Sequence, residues 1–89
     1  MSVYLITFDP DKTDASALHA VIKGSSNVRN WWHYIKSCYI IISNSSLQTI
    51  SKEITAKWPK QRFLIVSANL TEHNGWLPQE AWDWINKYK

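Results

Sequence analysis

One cysteine, Cys38, stands alone in 89 residues, so no intrachain disulfide can staple the fold and no second thiolate is at hand for a zinc site. Glycine is nearly absent. With only Gly24 and Gly75 there is no glycine-rich loop to cradle a phosphate, which excludes the common nucleotide-dependent enzymes. Long apolar runs are missing too. The stretch 39–42 is far short of the about 20 residues that span a bilayer. A basic opening followed by an apolar h-region is also lacking, and together with the lone cysteine this sets the expectation of a cytoplasmic protein.

Charge is sparse rather than concentrated. Eight Lys and two Arg against seven carboxylates leave a net +3. That suffices to attract phosphate but does not form the basic stripe of a dedicated nucleic-acid reader. Lys52, Lys57, Lys60 and Arg62 lie on or after one predicted helix and serve equally well as its solvated face. The Asn-X-Ser/Thr triplets at 44–46 and 69–71 read as turn chemistry.

Against these absences, the chain is rich in apolar and aromatic residues: 45% are hydrophobic and six are Trp. A disordered chain does not have this composition. The length admits one core, so residues 1–89 are read as a single domain whose segment 76–89 is a Trp-rich C-terminal helix.

Residues 3–8 alternate Val3 and Leu5 with Tyr4, Ile6 and Phe8, apolar on both faces as in a central strand, and Pro10 ends the run. Thr13 and Asp14 are N-cap candidates for a helix over 15–23 in which Leu18, Val21 and Ile22 recur at helical spacing; Gly24 is read as its left-handed stop. Strands over 31–35 and 38–43 follow, joined by Lys36-Ser37 as an antiparallel hairpin. Asn44, Ser45 and Ser46 offer caps for a second helix carrying Leu47, Ile50, Ile54 and Trp58 on one side, and Pro59 ends it. A fourth strand over 62–68 is again apolar on both faces. Pro78 can open the terminal helix, whose surface is aromatic enough either to dock on the domain edge or to cover part of a sheet or a partner.

Tyr4-Leu5-Ile6-Thr7 before the first helix echoes Tyr39-Ile40-Ile41-Ile42-Ser43 before the second, so each half is a strand-helix-strand unit. The expected fold is α+β: a ferredoxin-like β-α-β-β-α-β sandwich, with a four-stranded antiparallel sheet, two helices on one face and an added C-terminal helix. The first and third strands are expected to be central and parallel neighbours. Two helices can cover one sheet face only, yet three strands are apolar on both. The second face must therefore be covered by the Trp-rich tail or by another copy of the chain, and a homodimer is the expectation.

The opening Tyr-Leu-Ile-Thr-Phe-Asp strand, the motif Asn30-Trp31-Trp32-His33-Tyr34 before the hairpin, and the closing Gly75-Trp76-Leu77-Pro78 resemble the small SinR-like proteins over nearly the whole chain. Those in turn resemble, in fold and in the strand-one Asp, the CRISPR-associated spacer-acquisition nuclease subunit and the virulence-associated ribonuclease D group. The resemblance implies a homodimer in which Asp9 of each chain lies near a two-fold axis. There the pair would bind Mg²⁺ or Mn²⁺ for metal-dependent cleavage of RNA or DNA, with Asp11 assisting and no organic cofactor. A hard cation prefers such oxygen donors and can polarise a phosphate and activate water. Lys12 is the one basic residue shortly after Asp9.

Each candidate has a plainer role beside the functional one. Asp9 is either catalytic or a strand-end carboxylate accepting amide hydrogen bonds. His33 is a possible acid or base, or a structural ring between Trp32 and Tyr34. Lys12, Arg29, Trp31 and Lys36 are the possible nucleic-acid contacts. Trp31 and Trp32 point to opposite faces, so one can stack on a base, or one can fill the core and the other a dimer interface. Cys38 is read as a small buried hydrophobe. The function expected is a homodimeric nucleic-acid-interacting protein with metal-dependent nuclease activity, the alternative being a non-catalytic dimeric adaptor on the same fold.

Overall fold

In a computed structural model that describes residues 1–89, the elements run β1 (Ser2–Phe8), α1 (Ala15–Gly24), β2 (Asn30–Ile35), β3 (Cys38–Ser43), α2 (Leu47–Lys57), β4 (Phe63–Ser67) and α3 (Gln79–Tyr88). The four strands form one sheet in the order β2-β3-β1-β4. This is the ferredoxin-like α+β sandwich with an added C-terminal helix. No helix is long and apolar enough to cross a membrane.

Local chemistry sets most boundaries. The Asp14 side chain caps α1 by accepting the Ala17 amide, and Ser46 caps α2 by accepting that of Thr49. The expected left-handed stop at Gly24 does not occur. Gly24 belongs to α1, and Ser25 ends the helix in an extended conformation with φ −77°. Its hydroxyl donates to Glu53 and accepts the Asn27 amide, so a side-chain clasp replaces the glycine turn. The non-glycine residue that does adopt a left-handed conformation is Lys60, φ 62°, in the turn from α2 to β4.

One expectation about the sheet is corrected. β1 and β3 are neighbours, but antiparallel, with Ile6 opposite Tyr39 and Thr7 opposite Cys38. A hairpin reverses β3 relative to β2, and β2 runs parallel to β1 after the α1 crossover, so β3 must oppose β1. β4 also runs antiparallel to β1, with Ile6 opposite Ile65 and Phe8 opposite Phe63. As a result the β2–β3 turn and the start of β4 both lie at the end of the sheet where Asp9 follows β1.

The two faces are filled differently. Tyr4, Ile6, Phe8, Tyr39 and Ile41 face α1 and α2, meeting Leu18, Ile22, Ile50, Ile54 and Trp58 in a ten-residue core. On the other face Trp32 and Ile40 meet Leu70, Ala81 and Ile85. The tail thus covers the second face over the β2-β3-β1 side, one of the two covers the sequence allowed. Trp32 fills this internal core rather than a dimer interface, and its Nε1–H donates to the Ala81 carbonyl at 3.3 Å. Trp31 packs against the first core.

Candidate functional site

Asp9 sits where β1 ends, at an open depression of about 450 Å³ lined by Thr7, Phe8, Asp9, Pro10, Ser37, Arg62 and Phe63. Three separate segments build it. Thr7 to Pro10 come from β1 and its exit, Ser37 from the β2–β3 turn, and Arg62 with Phe63 from the start of β4. A second hollow beside it is lined by Asp9, Lys12, Thr13 and Arg62. The apolar lining of the first depression is Phe63 and the edge of the buried Phe8, and its charged residues are Asp9 and Arg62.

The Asp9 loop is held by its own hydrogen bonds. The Asp9 carbonyl accepts the Thr13 hydroxyl at 2.6 Å and the Lys12 amide at 3.3 Å, while its Oδ1 accepts the Asp11 amide at 3.0 Å. This is the turn chemistry of a strand-end carboxylate. Arg62 is brought to the loop from the far side of the chain by a lock on Asp14. The Trp58 indole donates to the Asp14 carbonyl at 2.8 Å, and the Asp14 amide donates to Gln61 Oε1 at 3.2 Å. The left-handed Lys60 between them, at a cost of about 1 kcal/mol for a residue with a Cβ, turns the chain so that both bonds form.

Cations slightly outnumber carboxylates around the Asp9 loop. Lys12, Lys36 and Arg62 surround Asp9 and Asp11, and the one ion pair among them, Lys36 with Asp11 at 3.8 Å, is highly exposed and contributes little. Lys12 and Arg62 have no carboxylate within salt-bridge reach. A hard divalent ion fits one chain poorly. No group of three or more His, Cys, Asp or Glu is placed to hold a metal, Asp9 Oδ1 is already engaged, and Lys12 and Arg62 line the hollow beside it. Magnesium usually takes one or two carboxylates together with phosphate oxygens, so donors beyond this chain would have to complete such a centre.

The other expected site residues disperse. Arg29 donates its amide to the Ile42 carbonyl, and Ile42 is opposite Val3, so it marks the opposite end of the sheet. Trp31 is half-buried and meets His19 edge-on, with ring centroids 5.1 Å apart. His33 stacks on Tyr39 at 3.9 Å and 4°, with Nδ1 2.9 Å from the Cys38 carbonyl. It lines neither hollow. Burial raises the Tyr39 hydroxyl pKa above its ordinary value, and His19 Nδ1 lies 2.8 Å from that hydroxyl. Cys38 is half-buried against the second core, and burial pushes its thiol up, away from the reactive thiolate.

Sequence reasoning missed Arg62, which looked like part of a helix's solvated face, and the place of Phe63 beside Asp9. A signal existed in the topology. Once β4 is placed antiparallel beside β1, Phe63 meets Phe8 and Arg62 meets Asp9. Comparison with protein-family models, curated proteins and solved structures found no match for this chain.

Proposed function

We propose that the protein is a homodimer that binds nucleic acid through the Asp9 end of its sheet, with a phosphodiester backbone on Lys12, Lys36 and Arg62 and a base against the partly exposed Phe63. The observation that supports this reading is that Arg62 lines both the Asp9 depression and, with Lys12, the hollow beside it, while Lys36 reaches Asp11 on the same loop. Phosphate contacts of this kind position a strand, and an aromatic ring takes a base without demanding its identity. Binding draws only on residues of one chain. Metal-dependent cleavage, which the SinR-like resemblance implies for Asp9, needs donors that one chain lacks.

The test is fluorescence anisotropy with labelled single-stranded RNA and DNA across a salt series. Arg62→Ala and Lys12→Ala are expected to weaken binding and each to lower the slope of log affinity against log salt by about one. Arg29→Ala, at the other end, leaves both unchanged. A triple Lys12, Lys36, Arg62 alanine variant that binds like the wild type refutes the site. Adding Mg²⁺ or Mn²⁺ to the same strands reads catalysis: cutting that disappears in Asp9→Asn identifies a nuclease. A second reading, a non-catalytic adaptor, draws on Trp76, which is 99% exposed; absent strand binding by a folded protein favours it.

A further inference from the structure

The two edges of the sheet are finished differently. β2 carries an irregular register between Trp32 and Ile35, is flanked by Arg29 and Lys36, and is tied to α3 where Asn30 Nδ2 donates to the Tyr88 hydroxyl at 2.7 Å. Irregularity and charge are the usual guards of an edge. β4 is preceded by Arg62, as β2 is by Arg29, but it has no register irregularity and no tie to α3. It is the last strand of the sheet, and α3 leaves its second face open, with Leu64 58% and Val66 39% exposed.

The direction of its free main-chain groups follows from the ladder. The Ala68 amide donates to the Val3 carbonyl at 2.9 Å. Antiparallel bonding alternates along a strand, so Leu64 and Val66 also turn their amides and carbonyls to β1. Phe63, Ile65 and Ser67 turn theirs outward. The β1–β3 ladder agrees: Phe8 donates to the Ser37 carbonyl on the β3 side, which leaves Thr7, Leu5 and Val3 to bond β4.

We infer that β4 is the seam of the homodimer, two copies pairing β4 with β4 antiparallel about a two-fold axis at Ile65. This rests on the homodimeric reading above and specifies its geometry. The strand is self-complementary in that register. Ile65 meets its own copy and Phe63 meets Ser67 of the second copy, making about six main-chain hydrogen bonds from groups that now face outward. Leu64 meets Val66 of the second copy in the closer, non-bonded pairing, so the exposed side chains form one four-membered apolar cluster beside Leu5. Arg62 falls opposite Ala68, and no like charges meet. Two open edges become one continuous eight-stranded sheet.

The two Asp9 carboxylates then lie roughly 25 Å apart, three strand spacings across and about six residues along. They cannot share an ion. The two depressions become separate anchoring points on one dimer.

Light scattering and register-specific disulfide trapping test this, with variants made in a Cys38→Ser background. Wild type is expected to have the mass of a dimer, and Leu64→Lys, at an exposed position, that of a monomer with unchanged circular dichroism. In a mixture of Leu64→Cys and Val66→Cys chains the paired Cα atoms come within disulfide range, whereas two copies of either variant alone hold theirs about 8 Å apart. A crosslinked dimer should therefore form in the mixture and not from either variant alone. A dimer mass without the mixed crosslink, or with equal crosslinking in the single variants, overturns the β4 seam and leaves the homodimer standing. A monomer mass for wild type overturns both.

Discussion

The two faces of the sheet are closed by chain of different kinds. α1 and α2 are the crossovers that join the strands, so the first face cannot open without disturbing the sheet's own connections. α3 comes after the last strand and can in principle lift away alone. Its bonding reflects this: Pro78 provides no side-chain cap at its start, and the buried Trp84 indole N–H midway along it has no acceptor. An obligatory helix pair makes a deep core, while an appended helix makes a thinner and more separable one.

Truncation at equivalent depth should show the difference. Ile41, fully buried on the first face, and Ile85, 4% exposed beneath α3, are both beta-branched side chains whose loss leaves a cavity. Ile41→Ala is expected to cost about 4 kcal/mol and Ile85→Ala about 2 kcal/mol, because a helix free to shift can partly close its own cavity. Urea unfolding at fixed protein concentration measures both. Hydrogen exchange sharpens the contrast, with α3 amides opening well below the free energy of those in β1 and β3. Equal costs and equal protection would make the faces one cooperative unit.

Two tryptophans separate the second face's assets from its defects. Trp32 gives its indole hydrogen to Ala81, tying β2 to the start of α3. Trp32→Phe should cost about 2 kcal/mol, from the lost bond and the lost volume. Trp84 hides the same donor without a partner, so Trp84→Phe removes an unmet desolvation cost as well as ring contacts, and its net effect is expected within about 0.5 kcal/mol of zero. Thermal melts of the two variants check the ordering.

How far the sequence anticipates this depends on whether a feature is local. Period-two and helical patterns are written in adjacent residues, so the strand at 38–43 is legible directly, and the caps Asp14 and Ser46 fall among the few candidates the sequence offers. The doubly apolar strands correctly demand a cover for the second face, and Ala81, Trp82 and Ile85 supply part of it. Strand direction is not local. It follows from the order of hairpin and crossover, and taking β1 and β3 as parallel would have put Asp9 beside Ser43 instead of Ser37. Arg62 was invisible for the same reason, since its place beside Asp9 depends on register and on a left-handed Lys60 that no turn signal announces.

A polar clasp gives the first face a pH dependence on the acid side. Glu53 on α2 accepts from Ser25 and Asn27 at the end of α1, and from Lys57 one turn along its own helix. Burial pushes its carboxyl pKa up, but the bonds from Ser25, Lys57 and Asn27 with the Lys57 charge outweigh this and hold it below the ordinary value. A carboxyl lowered by folding adds stability that is fully present above its unfolded pKa and is lost as pH falls through the folded one. Wild type should therefore weaken on the acid side of the usual glutamate range, and Glu53→Gln should flatten that limb. At neutral pH the variant should lose about 1 kcal/mol or less, since Gln keeps an oxygen for Ser25 and Asn27 but gives up the charge. Following α3 by hydrogen exchange over the same acid range assigns the effect to a face: protection in α3 should fall no faster than global stability, and an earlier loss there would place the acid-sensitive contact beneath the appended helix.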